Sequence, residues 1–129
     1  GDLQTIPIPQ GGLVLTAPAV WVNPADQSTW AFISNPQGIS ALQLTANPDG
    51  TPALQVAWKQ TRGGTSPLIA NGVLYVAKSN NIRAFDPVTG KMLWQNTTIG
   101  ELHWQSPVVV NGVLYIGDNG GALHAYALP

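Results

Sequence analysis

The sequence predicts an all-β fold of small antiparallel sheets, and three observations carry that prediction. The first is the density of chain breakers, 14 glycines and 11 prolines among 129 residues. The longest stretch free of both, Val73 to Asp86, has Ser79, Asn80 and Asn81 in its middle. Neither a long helix nor a membrane span of roughly 20 apolar residues fits there. The second is an internal repeat: Ser66-Pro67-Leu68-Ile69-Ala70-Asn71-Gly72-Val73-Leu74-Tyr75-Val76 recurs 40 residues on, from Ser106 to Ile116. The third is that Val73–Val76 and Val113–Ile116 are apolar at successive positions, where a sheet with one wet face would alternate. Both faces of these strands are therefore expected to be covered, as in sheets stacked face to face.

Each element follows from local chemistry. Pro18–Val22, Trp30–Ile33 and Ile39–Leu44 read as three strands of a faint first repeat, continued through Asn47-Pro48-Asp49-Gly50 into a fourth, Leu54–Trp58. In the second repeat Leu68–Ala70 and Val73–Val76 flank Asn71-Gly72, a dipeptide that tolerates the positive φ angles of a type I′ hairpin. Ile82–Phe85 is the third strand. The turn Asp86-Pro87-Val88-Thr89-Gly90 then leads to a fourth, Lys91–Gln95. Pro87 presets φ, Asp86 accepts N–H bonds across the turn and Gly90 takes the left-handed conformation. The third repeat has Val108–Val110, Val113–Ile116 and Leu123–Tyr126 but no fourth strand. The chain divides into approximate repeats 13–60, 61–100 and 101–129 of a single fragment spanning 1–129, and Trp58 and Trp94 correspond. A period of about 40 residues is what the four short strands of a β-propeller blade require.

Ala84-Phe85-Asp86-Pro87-Val88-Thr89-Gly90-Lys91-Met92-Leu93-Trp94 matches the pattern A-x-D-x-x-T-G-x-x-x-W. This resembles the tryptophan-docking repeat of pyrroloquinoline-quinone-type propellers, a family of quinoprotein alcohol dehydrogenases and non-catalytic relatives, including a propeller lipoprotein of outer-membrane protein assembly. The resemblance implies antiparallel blades of a quinoprotein-like β-propeller, here an incomplete set of about three against the 4 to 8 of a closed ring. It implies that the indoles of Trp58 and Trp94 pack across the gaps between blades, that Ala84 and Ala125 leave room for a ring, and that Asp86 and Gly90 shape the docking turn. The residues then read as the C-terminal part of a longer chain, or as copies that associate and mask their open blade faces. In the latter case Leu3–Pro9 could lend a strand to a neighbour.

Composition bounds the function. Five basic residues (Lys59, Arg62, Lys78, Arg83, Lys91) stand singly against six acidic ones, with no basic stripe for nucleic acid and no amphipathic basic helix for a membrane surface. With no cysteine there are no disulfides, thiolate zinc sites or thiol nucleophile. Low charge with abundant Asn, Gln, Ser and Thr points to a periplasmic or secreted location. The dehydrogenases that the resemblance brings in use an aspartate base, calcium ligands and stacking groups that include a vicinal disulfide, which this chain cannot form. Asp2, Asp26, Asp49, Asp86, Glu101 and Asp118 form no sequence cluster for calcium, so no cofactor is evident. In propellers the loops between blades share a rim with those joining second to third strands. That would bring Arg62, Lys78, Glu101, His103, Trp104 and Asp118 to one face as a ligand site, while His124 reads as an ordinary solvent-facing or hydrogen-bonded side chain.

The leading functional expectation is a non-catalytic binding or scaffold module outside the cytoplasm, with a protein partner or the remainder of the propeller against it. The alternative is the C-terminal portion of a quinone-dependent dehydrogenase whose catalytic residues, pyrroloquinoline quinone and calcium lie upstream. A third reading, carbohydrate binding through Trp21, Trp30 or Trp104, requires those rings to be exposed.

Overall fold

A computed structural model describes residues 4–127, which form three antiparallel sheets and no helix. The first holds β1 (Ala19–Val22), β2 (Thr29–Asn35), β3 (Gly38–Ala46) and β4 (Pro52–Gln60). The second holds β5 (Leu68–Ala70), β6 (Val73–Lys78), β7 (Asn81–Phe85) and β8 (Met92–Asn96). The third holds β9 (Val108–Val110), β10 (Val113–Gly117) and β11 (Leu123–Ala127). In every sheet the strands sit side by side in chain order, so each is a meander, and β1 lies beside β5. These are the blades of a propeller, two four-stranded and one three-stranded.

Turn chemistry sets the hairpins. Asn71 and Gly72 have φ of 50° and 71°, and Asn111 and Gly112 have 49° and 75°, so both central residues of each turn are left-handed. That is the geometry whose twist matches the paired strands. The last pairing of each complete blade carries a β-bulge at the same place. Ala41 faces Trp58 but Leu42 faces Val56, and Ala84 faces Trp94 but Phe85 faces Met92, leaving Ala57 and Leu93 as the extra residues. A bulge bends the strand and redirects the adjacent side chain, here an indole in both blades.

The core lies between blades. Trp30, Phe32, Ile39 and Ala41 of the first blade pack on Leu74, Val76 and Phe85 of the second. The second blade's other face, Tyr75, Ala77, Ile82 and Ala84, packs with Ile99, Leu114 and Ile116 of the third. Strand pleating, which sends successive side chains to opposite faces, thus makes β6 apolar on both sides, as its unbroken apolar run predicts. The same expectation is corrected for β10. Leu114 and Ile116 are buried, but Tyr115 is 37% exposed because this face has no neighbouring blade. Val108, Val110 and Leu123 are exposed with it.

The crossing from first to second blade is made of backbone. A Cβ on Gly63 would run into the carbonyl oxygens of Asn35 and Gly38, and one on Gly64 into that of Ala77. The segment before β1 acts as a strap on the first blade. The Gln4 side chain accepts from Leu54 N (2.7 Å), and Lys59 Nζ donates to the Pro9 carbonyl (3.3 Å). Ser40 Oγ donates to Gln10 Oε1, and Asn35 Nδ2 donates to the Gly11 carbonyl (2.7 Å). In this chain Gln4 and Pro9 are thus tied to their own blade; Leu3, the start of the segment expected to lend a strand, lies outside the described residues.

Candidate rim cleft and blade-docking tryptophans

Trp58 sits at the end of β4, swung by its bulge toward the second blade. Its indole Nε1–H donates to the Pro87 carbonyl at 2.9 Å, and a Cβ on Gly90 would stand 2.9 Å from the ring. Gly90 combines a φ of 70° with this close approach, so glycine is required twice over. Asp86 builds the platform: Oδ1 accepts from Val88 N (2.9 Å) and Thr89 N (2.8 Å), while Gly90 N donates to the Asp86 carbonyl (2.9 Å). The other side of the indole meets Phe32 at 6.1 Å between ring centroids. Trp94 is set toward the third blade with an edge-on contact to Tyr126, centroids 5.6 Å apart.

The motif alanine is placed differently from expectation. Ala84 is the cross-strand partner of Trp94 within its own blade, as Ala41 is of Trp58. Because side chains alternate, Ala84 faces the third blade and not Trp58, and Ala125 is exposed on the third blade's open face. Each alanine makes room for its own blade's ring.

Of the six residues predicted to gather on one rim, Lys78, His103 and Trp104 line a common cleft. The β8–β9 connection is clamped across the two neighbouring hairpin turns. Ser79 Oγ donates to the Leu102 carbonyl (3.0 Å) and accepts from Leu102 N (2.9 Å), and Asn119 N donates to the Glu101 carbonyl (2.8 Å). Gln105 Oε1 accepts from His103 N (2.6 Å) and its Nε2 donates to Asn119 Oδ1 (2.6 Å). This holds His103 edge-on to Trp104, centroids 4.4 Å apart, with Trp104 65% exposed. Between that connection and the strap lies a cleft of about 410 Å³, lined by Leu13, Leu15, Leu102, His103, Trp104 and Lys78 together with polar groups of Gln37, Thr65 and Ser66. Sequence reasoning missed Leu13 and Leu15. Their only signal is two exposed leucines following Gly11-Gly12 in a segment without strand periodicity.

Arg62, Glu101 and Asp118 do not line the cleft. Asp118 is a structural carboxylate that accepts from His124 Nε2 (2.8 Å), Ala122 N (3.0 Å) and Gly100 N (3.3 Å). The His124 bond, and then those backbone N–H groups, hold its carboxyl below the usual range. Asp26 and Asp49 are lowered by Ser28 and Thr51 within their own turns. Arg83, in β7, is pushed below the usual guanidinium value by burial and then by the Arg62 charge.

Among the described residues no three His, Asp or Glu side chains come together where a metal could sit. The residues present do not fit calcium or pyrroloquinoline quinone: each aspartate described sits in a different turn and accepts from that turn's own groups, Asp118 from His124 and Gly100 N as well. Of the rings that a sugar would need, Trp30 is 5% exposed and Trp21 packs on the first interblade core, which leaves Trp104. No helix is long and apolar enough to cross a membrane among the described residues. In comparisons with known proteins, a family model described as outer membrane protein assembly factor BamB matches residues 37–128. No curated protein matches the chain.

Proposed function

From the premise that the chain belongs to the propeller-repeat family of the outer membrane protein assembly factor BamB, we propose that it is a non-catalytic binding module whose rim cleft holds an extended segment of a protein partner, outside the cytoplasm. The observation that carries this reading is the cleft itself: Leu13, Leu15, Leu102 and Trp104 line it beside polar groups that give orientation. A groove lined by apolar side chains with a few placed polar groups is how proteins take up small or extended ligands. Trp58 and Trp94 serve the module by docking neighbouring blades, so that the rim loops rest on a rigid base. The family's printed name, an assembly factor, supports a scaffold over an enzyme, and its outer-membrane setting supports the location.

The test uses a defined probe, a synthetic peptide with the alternating apolar and polar residues of an outer-membrane barrel strand, titrated into the ¹⁵N-labelled chain. The expected result is a saturable shift of the Trp104 indole N–H resonance. Trp104→Ala and Leu15→Asp weaken binding at least about tenfold, which corresponds to 1.4 kcal/mol, and leave the melting temperature unchanged. Binding that ignores both substitutions overturns the cleft assignment. Dye reduction by the full-length protein with added calcium and pyrroloquinoline quinone, above the cofactor-free control, overturns the non-catalytic part. The exposed Trp104 ring favours carbohydrate as a second reading, and an oligosaccharide arm in the same titration separates the two.

A further inference from the structure

The second and third blades solve the same position in opposite ways. In the third, His124 is the cross-strand partner of Ile116, and Asp118, the residue after Gly117, pairs with it at 2.8 Å. In the second, the ladder puts Arg83 opposite Val76, the place of His124, and Lys78 follows Ala77, the place of Asp118. The positions that hold an acid–base pair in one blade thus hold two cations in the other. Pleating puts Val76, Lys78, Asn81 and Arg83 on one face of this hairpin, the face turned to the first blade.

No carboxylate among the described residues neutralises that cluster. Among the described residues the carboxylate ion pair is the one between His124 and Asp118, so no Lys or Arg has a carboxylate within 4.0 Å. For exposed cations this is ordinary. Arg83 is different, because it is partly buried and its Nε is a buried donor without any acceptor. A buried charged donor without a partner is costly. Arg62 lies in the β4–β5 connection, where Gly64, two residues on, packs against the Ala77 carbonyl and the Lys78 Cβ beside this cluster, and its charge adds to burial in disfavouring the charge on Arg83.

We propose that Arg62, Lys78 and Arg83 form an oxyanion site at the rim of the gap between the first two blades, which takes a phosphate or carboxylate group. A planar guanidinium binds either group through paired N–H donors, a second cation beside it adds attraction, and the bound anion offsets the repulsion between the two cations. The missing acceptor for Arg83 Nε is then supplied by the ligand, in the role that Asp118 plays for His124. Lys78 also lines the neighbouring cleft, but Arg62 and Arg83 do not, so the inference rests on the two arginines whatever fills that cleft.

The experiment follows the arginine Nε–H resonances of the ¹⁵N-labelled chain in titrations with inorganic phosphate and, separately, with acetate, at constant ionic strength in chloride. The expected result is a saturable shift of the Arg83 Nε–H resonance in at least one titration. Saturation by both anions identifies a carboxylate as sufficient; saturation by phosphate alone identifies a phosphoryl group. Arg62→Gln and Lys78→Gln, both at exposed positions where folding is not at stake, weaken the anion at least about fivefold each. Lys91→Gln, in the turn at the other end of the second blade, leaves affinity unchanged. An Arg83 resonance that stays still or drifts linearly with both anions overturns the site, and so does saturation unaltered by Arg62→Gln.

Discussion

Trp58 is a half-buried aromatic residue with one polar atom, and that atom meets a carbonyl across the blade gap. Two substitutions separate its contributions. Trp58→Phe keeps most of the ring and loses the N–H, at a cost of about 1 kcal/mol; Trp58→Ala loses both and costs about 3 kcal/mol, measured by urea unfolding. Gly90→Ala destabilises by about 2 kcal/mol, because it strains a left-handed residue and pushes a methyl into the indole. Asp118 gives a pH signature. Its folded-state pKa lies below the ordinary 3.8, so the stability it adds is complete above that value and is lost as pH falls through the depressed one. Asp118→Asn removes this dependence, and thermal melts of variant and parent between pH 7 and pH 2 should converge at the acid end. Trp58 could be found in the sequence because the turn that receives its indole is written in contiguous residues, Asp86 to Gly90, and Trp94 because the repeat aligns it with Trp58. The pairing of Asp118 with His124 could not, because a longer β10–β11 turn hides their register.

At the scale of elements, hairpins and turns were legible and the strap was not. Asn-Gly between apolar runs specifies a two-residue turn through φ alone, with no need for distant partners. Asn111→Val, which places a β-branched residue at φ 49°, should cost about 1 to 2 kcal/mol by the same unfolding measurement. The strap is held by single side-chain bonds across 24 to 50 positions, such as those of Gln4 and Asn35. Such bonds leave no periodic trace. The bulges at Ala41 and Ala84 were equally hidden, although the longer first-repeat motif, Ala41 to Trp58, still ends in the same bulged pairing. The rim cleft was half legible: its β8–β9 wall came from His103 and Trp104, while the opposite wall of leucines came from the strap.

Among the described residues two gaps are filled by apolar side chains, while the outer faces of the first and third blades keep exposed ones, Val20, Val22, Leu44 and Val56 on the first and Val108, Val110, Tyr115 and Leu123 on the third. Tyr115 occupies on the third blade the place that Tyr75 occupies on the second, yet Tyr75 is 3% exposed. Contiguous exposed apolar surface of this kind seeks cover. Sedimentation velocity on the isolated chain should show association that falls when Leu123, 74% exposed, is replaced in Leu123→Glu, with stability altered by no more than about 0.5 kcal/mol. The repeat period made the stacking readable, but it could not reveal which faces lack a neighbour, since every repeat carries the same alternation.

At Gly63 main chain rests on main chain. With Gly64 resting likewise on the second blade's Ala77, the crossing between these blades is held by atoms common to all sequences, while side chains fill the gap beside it. Substitutions around the rim can change what the surface recognises while the number of wedges that would complete a circle stays the same.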